Sequence, residues 1–260
     1  MATVTDGLII REYNHIGESD RFVTVLTRDR GVIRASARGA RKVKSRSAAA
    51  TRLFSHSRLS LVSNPSRTGN GRQHFIIEDA QPLHTFFELH SDIEKLALAQ
   101  YFCELAAAAA PKDADPHAAQ ESEQALRLML NGLHFLSTGL RNRYLVKAAV
   151  ELRLLSAAGY MPQLERCARC VTNSGGMALL PVQGELVCSR CRRQEEYELP
   201  ELPPETLQWM RRVVYGNFEQ IFKYILPDER CGTAADAAER YCLAQLGRGF
   251  HTLEFFKSML

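Results

Sequence analysis

Two Cys-x-x-Cys pairs, Cys167-Ala-Arg-Cys170 and Cys188-Ser-Arg-Cys191, lie seventeen residues apart, and no other feature narrows the possible folds so far. Each two-residue gap lets one tight turn present two sulfurs to a single ion, and two such turns complete a tetrahedron. Between the pairs, residues 177–181 and 185–187 flank Gln183-Gly184, a pattern that suits a short hairpin folding the second pair back onto the first. One structural zinc ion on Cys167, Cys170, Cys188 and Cys191 is the expected cofactor. Other readings fit less well. A redox dithiol needs only one pair, an iron–sulfur cluster also takes four cysteines but usually at other spacings, and a catalytic zinc leaves one position open where four thiolates close the shell. Val171 follows the second cysteine at a position where zinc knuckles favour glycine, which puts the local turn geometry in question.

The metal reading assumes a reducing compartment. No stretch approaches the eighteen apolar residues of a membrane span, and the first thirty residues carry charges where a signal peptide needs an apolar run, so the expectation is a cytoplasmic protein. There, seven cysteines are not a disulfide framework, and Cys103, Cys231 and Cys242 are expected to be buried apolar residues.

Charge is distributed unevenly. Residues 1–80 carry 14 Lys and Arg against 7 Asp and Glu, whereas residues 81–260 carry 19 against 22. Within 28–58 there are ten basic residues and one acid, Asp29, and much of 39–47 has no apolar period. A polyanion-binding module joined to a slightly acidic body is implied. Arg34, Arg38, Arg41, Lys42, Lys44, Arg46 and Arg58 are the expected phosphate contacts, with Tyr13, Phe54, His56 and Phe75 as candidates for base stacking or barrel filling. Around the cysteines, Arg169, Arg190, Arg192 and Arg193 form either a second nucleic-acid contact or a solvated surface that offsets the charge of the thiolates.

Hydrophobic periodicity divides the chain. Up to Pro82, short alternating runs (GLIIREY, RFVTVLTR, GVIRASAR, FSHSRLSLVS and RQHFIIEDA) predict five strands closing into a small barrel. Ile10, Phe22, Val25, Ile33, Leu59, Leu61, Phe75 and Ile77 are its expected inward positions. From Leu83 the period becomes helical, and Leu83, Phe86, Phe87, Leu89, Ile93, Leu96, Leu98 and Phe102 read as packing residues. The expected architecture is α+β: an OB-fold DNA-binding barrel at 1–82, a helical domain at 83–162, a zinc ribbon at 163–198, and C-terminal helices at 199–260 that complete the helical domain.

Motifs for catalysis are missing. The sequence contains no Walker loop, no Gly-x-Gly-x-x-Gly after a strand, no Gly-x-Ser-x-Gly and no His-Glu-x-x-His, so no enzyme is expected. The acidic pairs Asp113/Asp115 and Glu195/Glu196 read as solvated loops, and His15 and His56 as structural or phosphate-facing groups.

Two strings carry a resemblance to a known family. The opening IIREYNHIGESDRFVTVLTRDRGVIRASARGARKVKSR and the later LLSAAGYMPQLERCARC, followed by a hairpin and CSRC, resemble the bacterial recombination mediators of the RecO family. That resemblance covers the whole chain in order. It implies an OB-type barrel, a helical bundle and, in members that keep the cysteines, a zinc ribbon. It also implies binding of single- and double-stranded DNA, annealing of complementary strands, and work with RecR to help RecA displace single-strand-binding protein in the cytoplasm, at the nucleoid. The contrasting reading is a non-catalytic adaptor whose helical domain docks a partner; a nuclease with unrecognised metal carboxylates is a third.

Overall fold

The computed structural model of the 260-residue chain describes residues 2–13, 19–42, 44–64, 74–112 and 118–260. His15, Asp113, Asp115 and the Gly17-Glu18 part of the opening motif lie outside the described residues. Contacts divide the chain into two compact units, Met1–Ser137 with Glu254–Leu260, and Thr138–Leu253, which groups the first two helices with the barrel.

The first unit begins with β1 (Thr3–Tyr13), β2 (Arg21–Thr27), β3 (Gly31–Ala37), β4 (Ser55–Asn64) and β5 (His74–Thr85). They close in the order β1-β2-β3-β5-β4, with β1 returning to β4 and a parallel β3–β5 pair, which is the OB-type barrel that the alternating runs predict. Its core is formed by Ile9, Val23, Val25, Ile33, Leu59, Leu61, Phe75 and Ile77 together with small residues such as Ala35 and Ala37. Two expected inward positions are corrected. Phe22 lies an odd number of residues from Val25, so the two cannot share a strand face; its ring is only half-buried, beside His74 on the outside. Ile10 is buried but outside this cluster, because β1 bulges between Ile9 and Arg11 and Ile10 is the extra residue in the ladder.

At the other end of the barrel β5 runs on to Thr85, so Leu83 belongs to a strand and not to the helix its periodicity suggested. A 3-10 turn (Phe87–Ser91) follows, then α1 (Ile93–Ala109), which starts where Asp92 accepts hydrogen bonds from the N–H groups of Glu94 and Lys95. Phe86, Leu89, Leu98 and Phe102 are buried as expected. Leu83, Phe87 and Ile93 are not: they are 45%, 74% and 61% exposed. The stripe assumes one continuous helix; a strand and a 3-10 turn replace its first part and point Leu83 and Phe87 elsewhere, and Ile93 is the first residue of α1. α2 (Ala119–Thr138) follows.

The second unit contains α3 (Arg143–Ala157), the ribbon strands β6 (Gln163–Cys167), β7 (Met177–Leu180) and β8 (Glu185–Cys188), α4 (Pro204–Tyr215) and α5 (Asp228–Leu246). Within the 199–260 region expected as helices, the stretch NFEQIFKYI forms a short 3-10 turn at Phe218–Lys223. The last helix, α6 (His251–Lys257), crosses the division between the units. Inside the second unit, Lys147 on α3 contacts Glu151 at 2.8 Å and Glu239 on α5 at 2.9 Å. Burial disfavours the Lys147 ammonium, but the two carboxylates outweigh it and hold its pKa above the usual lysine value. Removing one partner from such a buried group typically costs about 3–5 kcal/mol, so the triad fixes α3 against α5. Cys103, Cys231 and Cys242 are buried, as their isolation in sequence suggested.

Candidate functional site

In the ribbon, Gly184 closes the β7–β8 hairpin. Its N–H donates to the Leu180 carbonyl at 2.8 Å, its φ of +69° lies in the left-handed region, and a Cβ there would stand 3.3 Å from the Tyr241 ring. The hairpin brings the four cysteines together, with all four sulfurs within 4.8 Å of one another and Cys170 Sγ 3.6 Å from Cys188 Sγ. Such a set could hold a metal ion. The backbone N–H groups of Arg169 and Cys188 each donate to Cys167 Sγ at 3.4 Å. Burial opposes the Cys167 thiolate, but these hydrogen bonds outweigh it and bring its pKa down to about 6. Val171 takes the conformation that glycine would supply, with φ of 65° and 59% exposure, so the knuckle turn forms at the expense of local strain.

Residues outside the cysteine motif anchor the ribbon, and sequence reasoning missed them. Arg211 on α4 donates to the carbonyls of Leu164 and Glu165 on β6, the second at 2.8 Å, and Tyr215 Oη donates to the Pro162 carbonyl at 2.8 Å while accepting from Leu164 N–H at 2.7 Å. The strand that delivers Cys167 is therefore tied to a helix more than forty residues later. Arg211 and Tyr215 stand four residues apart and so share one face of α4.

Two of the ribbon arginines are already committed. Arg169 makes a two-pronged pair with Glu196 and donates to the Cys191 carbonyl, and Arg192 donates to the Leu199 carbonyl at 3.1 Å. The Arg169 hydrogen bonds hold the Glu196 pKa down at about 2. Arg190 and Arg193 have exposed side chains.

Barrel cations differ in this respect. Arg34 is the exposed residue of β3, and Arg38, Arg41, Lys42, Lys44 and Arg46 are exposed along the segment that leaves it. Arg34, Arg38, Lys42, Lys44 and Arg46 form no ion pair with a described carboxylate. Arg58 is exposed but paired with Asp6 through two hydrogen bonds, at 2.9 and 3.2 Å, and those bonds hold the Asp6 pKa below its usual value. Of the candidate aromatics, Phe75 and Phe54 are buried, which assigns both to packing. Tyr13 is half-buried, with its hydroxyl 3.2 Å from Thr24 Oγ1 and the Arg11 guanidinium over its ring. His56 is also half-buried, and burial holds its pKa below 6.5.

Among the described residues, no helix is long and apolar enough to cross a membrane.

Comparison with known proteins gives consistent matches along the chain. A family model described as "Recombination protein O N terminal" matches residues 1–75, and one described as "Recombination protein O C terminal" matches residues 90–254. A protein of Symbiobacterium thermophilum named "DNA repair protein RecO" is 33% identical over 258 residues, covering 98% of this chain and 96% of that relative. Proteins of the same name from Acetivibrio thermocellus and Cutibacterium acnes are 25% and 30% identical, over 98% and 84% of this chain and 96% and 85% of their own lengths.

Proposed function

Because this chain belongs to the RecO family of DNA repair proteins, we propose that it is a recombination mediator that binds single- and double-stranded DNA through the cations of its barrel and anneals complementary strands. The observation that carries this reading is the set of exposed cations on β3 and the following segment, Arg34, Arg38, Lys42, Lys44 and Arg46, without carboxylate partners among the described residues. Paired cations attract phosphate weakly because their charge is already spent; these are available in full. Arg41 extends the set, and Arg58 contributes only by exchanging Asp6 for phosphate.

Annealing asks for no covalent step. Two polyanionic strands come together when their repulsion is screened and their bases stay free to pair, which a dense cationic surface achieves without hydrolysis. The reading extends to the family's partners, with RecR and single-strand-binding protein as the protein contacts and RecA loading as the outcome, in the cytoplasm.

Zinc is the ion proposed for the four cysteines. A tetrahedron with zinc–sulfur bonds of about 2.3 Å places its sulfurs about 3.8 Å apart, close to the 3.6 Å between Cys170 and Cys188. A closed thiolate shell gives structural cross-linking and leaves no open position for substrate.

The test is an annealing assay with complementary oligonucleotides, bare and coated with single-strand-binding protein. Faster duplex formation in both is expected. Unchanged strands would return the protein to the adaptor reading, and shortened strands to a nuclease.

A further inference from the structure

Phe87 is the largest departure from the packing that periodicity predicted. Its ring is 74% exposed and lies against His90, with ring centroids 5.7 Å apart and planes inclined by 29°, so the two form an aromatic wall. The wall borders a cleft of about 610 Å³ on the barrel unit, whose other side is built from residues 48–53, the end of the basic segment. Arg52, exposed, stands at this side.

The lining also includes an ion pair, Glu12 and Arg21. Arg21 donates from Nη1 to the Ala48 carbonyl at 2.7 Å and to Thr51 Oγ1 at 2.9 Å, which locks the guanidinium in place. Glu12 accepts the Leu53 N–H on one oxygen; its other oxygen is 3.7 Å from Arg21 Nε, beyond hydrogen-bond length. Glu12 Oε2 and Arg21 Nη2 therefore have no hydrogen-bond partner among the described residues, and both side chains line the cleft.

We infer that this cleft receives one unpaired nucleobase of a bound single strand, stacked on Phe87 with its pairing edge against Glu12 and Arg21. The inference rests on the DNA-binding reading and adds a preference to it. Every base carries an N–H donor next to an acceptor on its Watson–Crick edge, so the carboxylate accepts from one and the guanidinium donates to the other, whichever base enters. In duplex DNA that edge is used by the partner strand. The cleft thus selects single strands over duplex while tolerating sequence. Arg52 lines the cleft, and Lys42, Lys44 and Arg46 precede its wall in sequence, so phosphates of the same strand have cations to meet. An acidic peptide would set its carboxylates against Glu12, which argues against that occupant.

The experiment uses the full chain with a labelled oligonucleotide as a single strand and as a duplex, and with a single strand carrying 5-iodouracil for photo-cross-linking. Phe87→Ala is expected to weaken single-strand binding about tenfold, as loss of one stacked base does, and to leave duplex binding within about twofold. Phe87→Trp restores the single-strand affinity, and irradiation of the unaltered protein cross-links the iodinated base at Phe87. Because the ring is largely exposed, its removal leaves the core intact. Equal effects of Phe87→Ala on both forms of DNA, no effect on either, or a cross-link elsewhere would overturn the cleft assignment while the phosphate-binding reading stands. Absence of binding by the unaltered protein would remove both.

Discussion

The barrel and the ribbon both look basic in sequence, but the ribbon spends Arg169 and Arg192 on its own fold, while five cations on and after β3 stay exposed and meet no described carboxylate. Arg34, Arg38, Lys42, Lys44 and Arg46 meet no described carboxylate, whereas Arg169 is held by Glu196 and Arg192 by the carbonyl of Leu199. A count of arginines therefore measures two different things. In the barrel it measures cations without carboxylate partners; in the ribbon much of it measures hydrogen bonds that fasten the turn of the second cysteine pair.

If the two regions are separate in this way, metal removal should affect one alone. Structural zinc contributes on the order of 10 kcal/mol or more to folding of comparable thiolate sites, so Cys188→Ala should release the ion and unfold the ribbon. Protein purified without chelators should contain one zinc per chain, and the variant none, while oligonucleotide affinity falls little. A large loss of affinity on metal removal would merge the two surfaces. The reverse test comes next in size. Replacing Arg38, Arg41, Lys42 and Lys44 together with Ala should weaken single-strand binding at least about a hundredfold and flatten the salt dependence by about three in logarithmic slope, from about 0.7 per lost phosphate contact. Arg190→Ala with Arg193→Ala should leave the slope nearly unchanged if the exposed ribbon arginines only offset the thiolate charge.

Smaller effects sharpen the contrast. Burial holds His56 below its ordinary 6.5, with the nearby His84 and Arg58 charges adding to this and Asp6 opposing it. Its contribution to barrel stability is complete above that value. As pH falls through 6.5 toward the lower folded pKa, the unfolded chain takes up a proton that the barrel refuses, and stability is lost. Amide protection factors in β4 should therefore fall on acidification, and His56→Gln should reduce this sensitivity; the ribbon should show no change attributable to His56. Smallest is Val171→Gly. It relieves a β-branched residue at positive φ and should stabilise the metal-bound ribbon by about 0.5–1 kcal/mol, read as slower zinc release to a chelator. Faster release would mean that Val171 supports the turn in some other way.

How much was legible follows from the range of the interactions. The cysteine spacing encodes a local geometry, and the hairpin at Gln183-Gly184 delivers it, so the clustering of the four sulfurs could be read residue by residue. Five strands were equally plain, since alternation is a short-range signal. The β1 bulge that turns Ile10 away from the barrel core was not, because a bulge depends on the partner strand. The exposure of Phe87 was hidden by an apolar stripe that runs across the end of β5 and a 3-10 turn. Lys147 and Glu151, four residues apart, resemble a surface helix pair; only Glu239, distant in sequence, makes them a buried triad. The ties from Arg211 and Tyr215 to β6 likewise depend on neighbours far along the chain.

Titrating the unaltered protein with equal-length oligo-dT, oligo-dA and oligo-dC over a range of salt concentrations tests the phosphate-grip account most directly. Steep and parallel losses of affinity with salt are predicted for all three strands, because the barrel cations contact what the strands share. A shallow dependence, or slopes that differ widely between the strands, would contradict it.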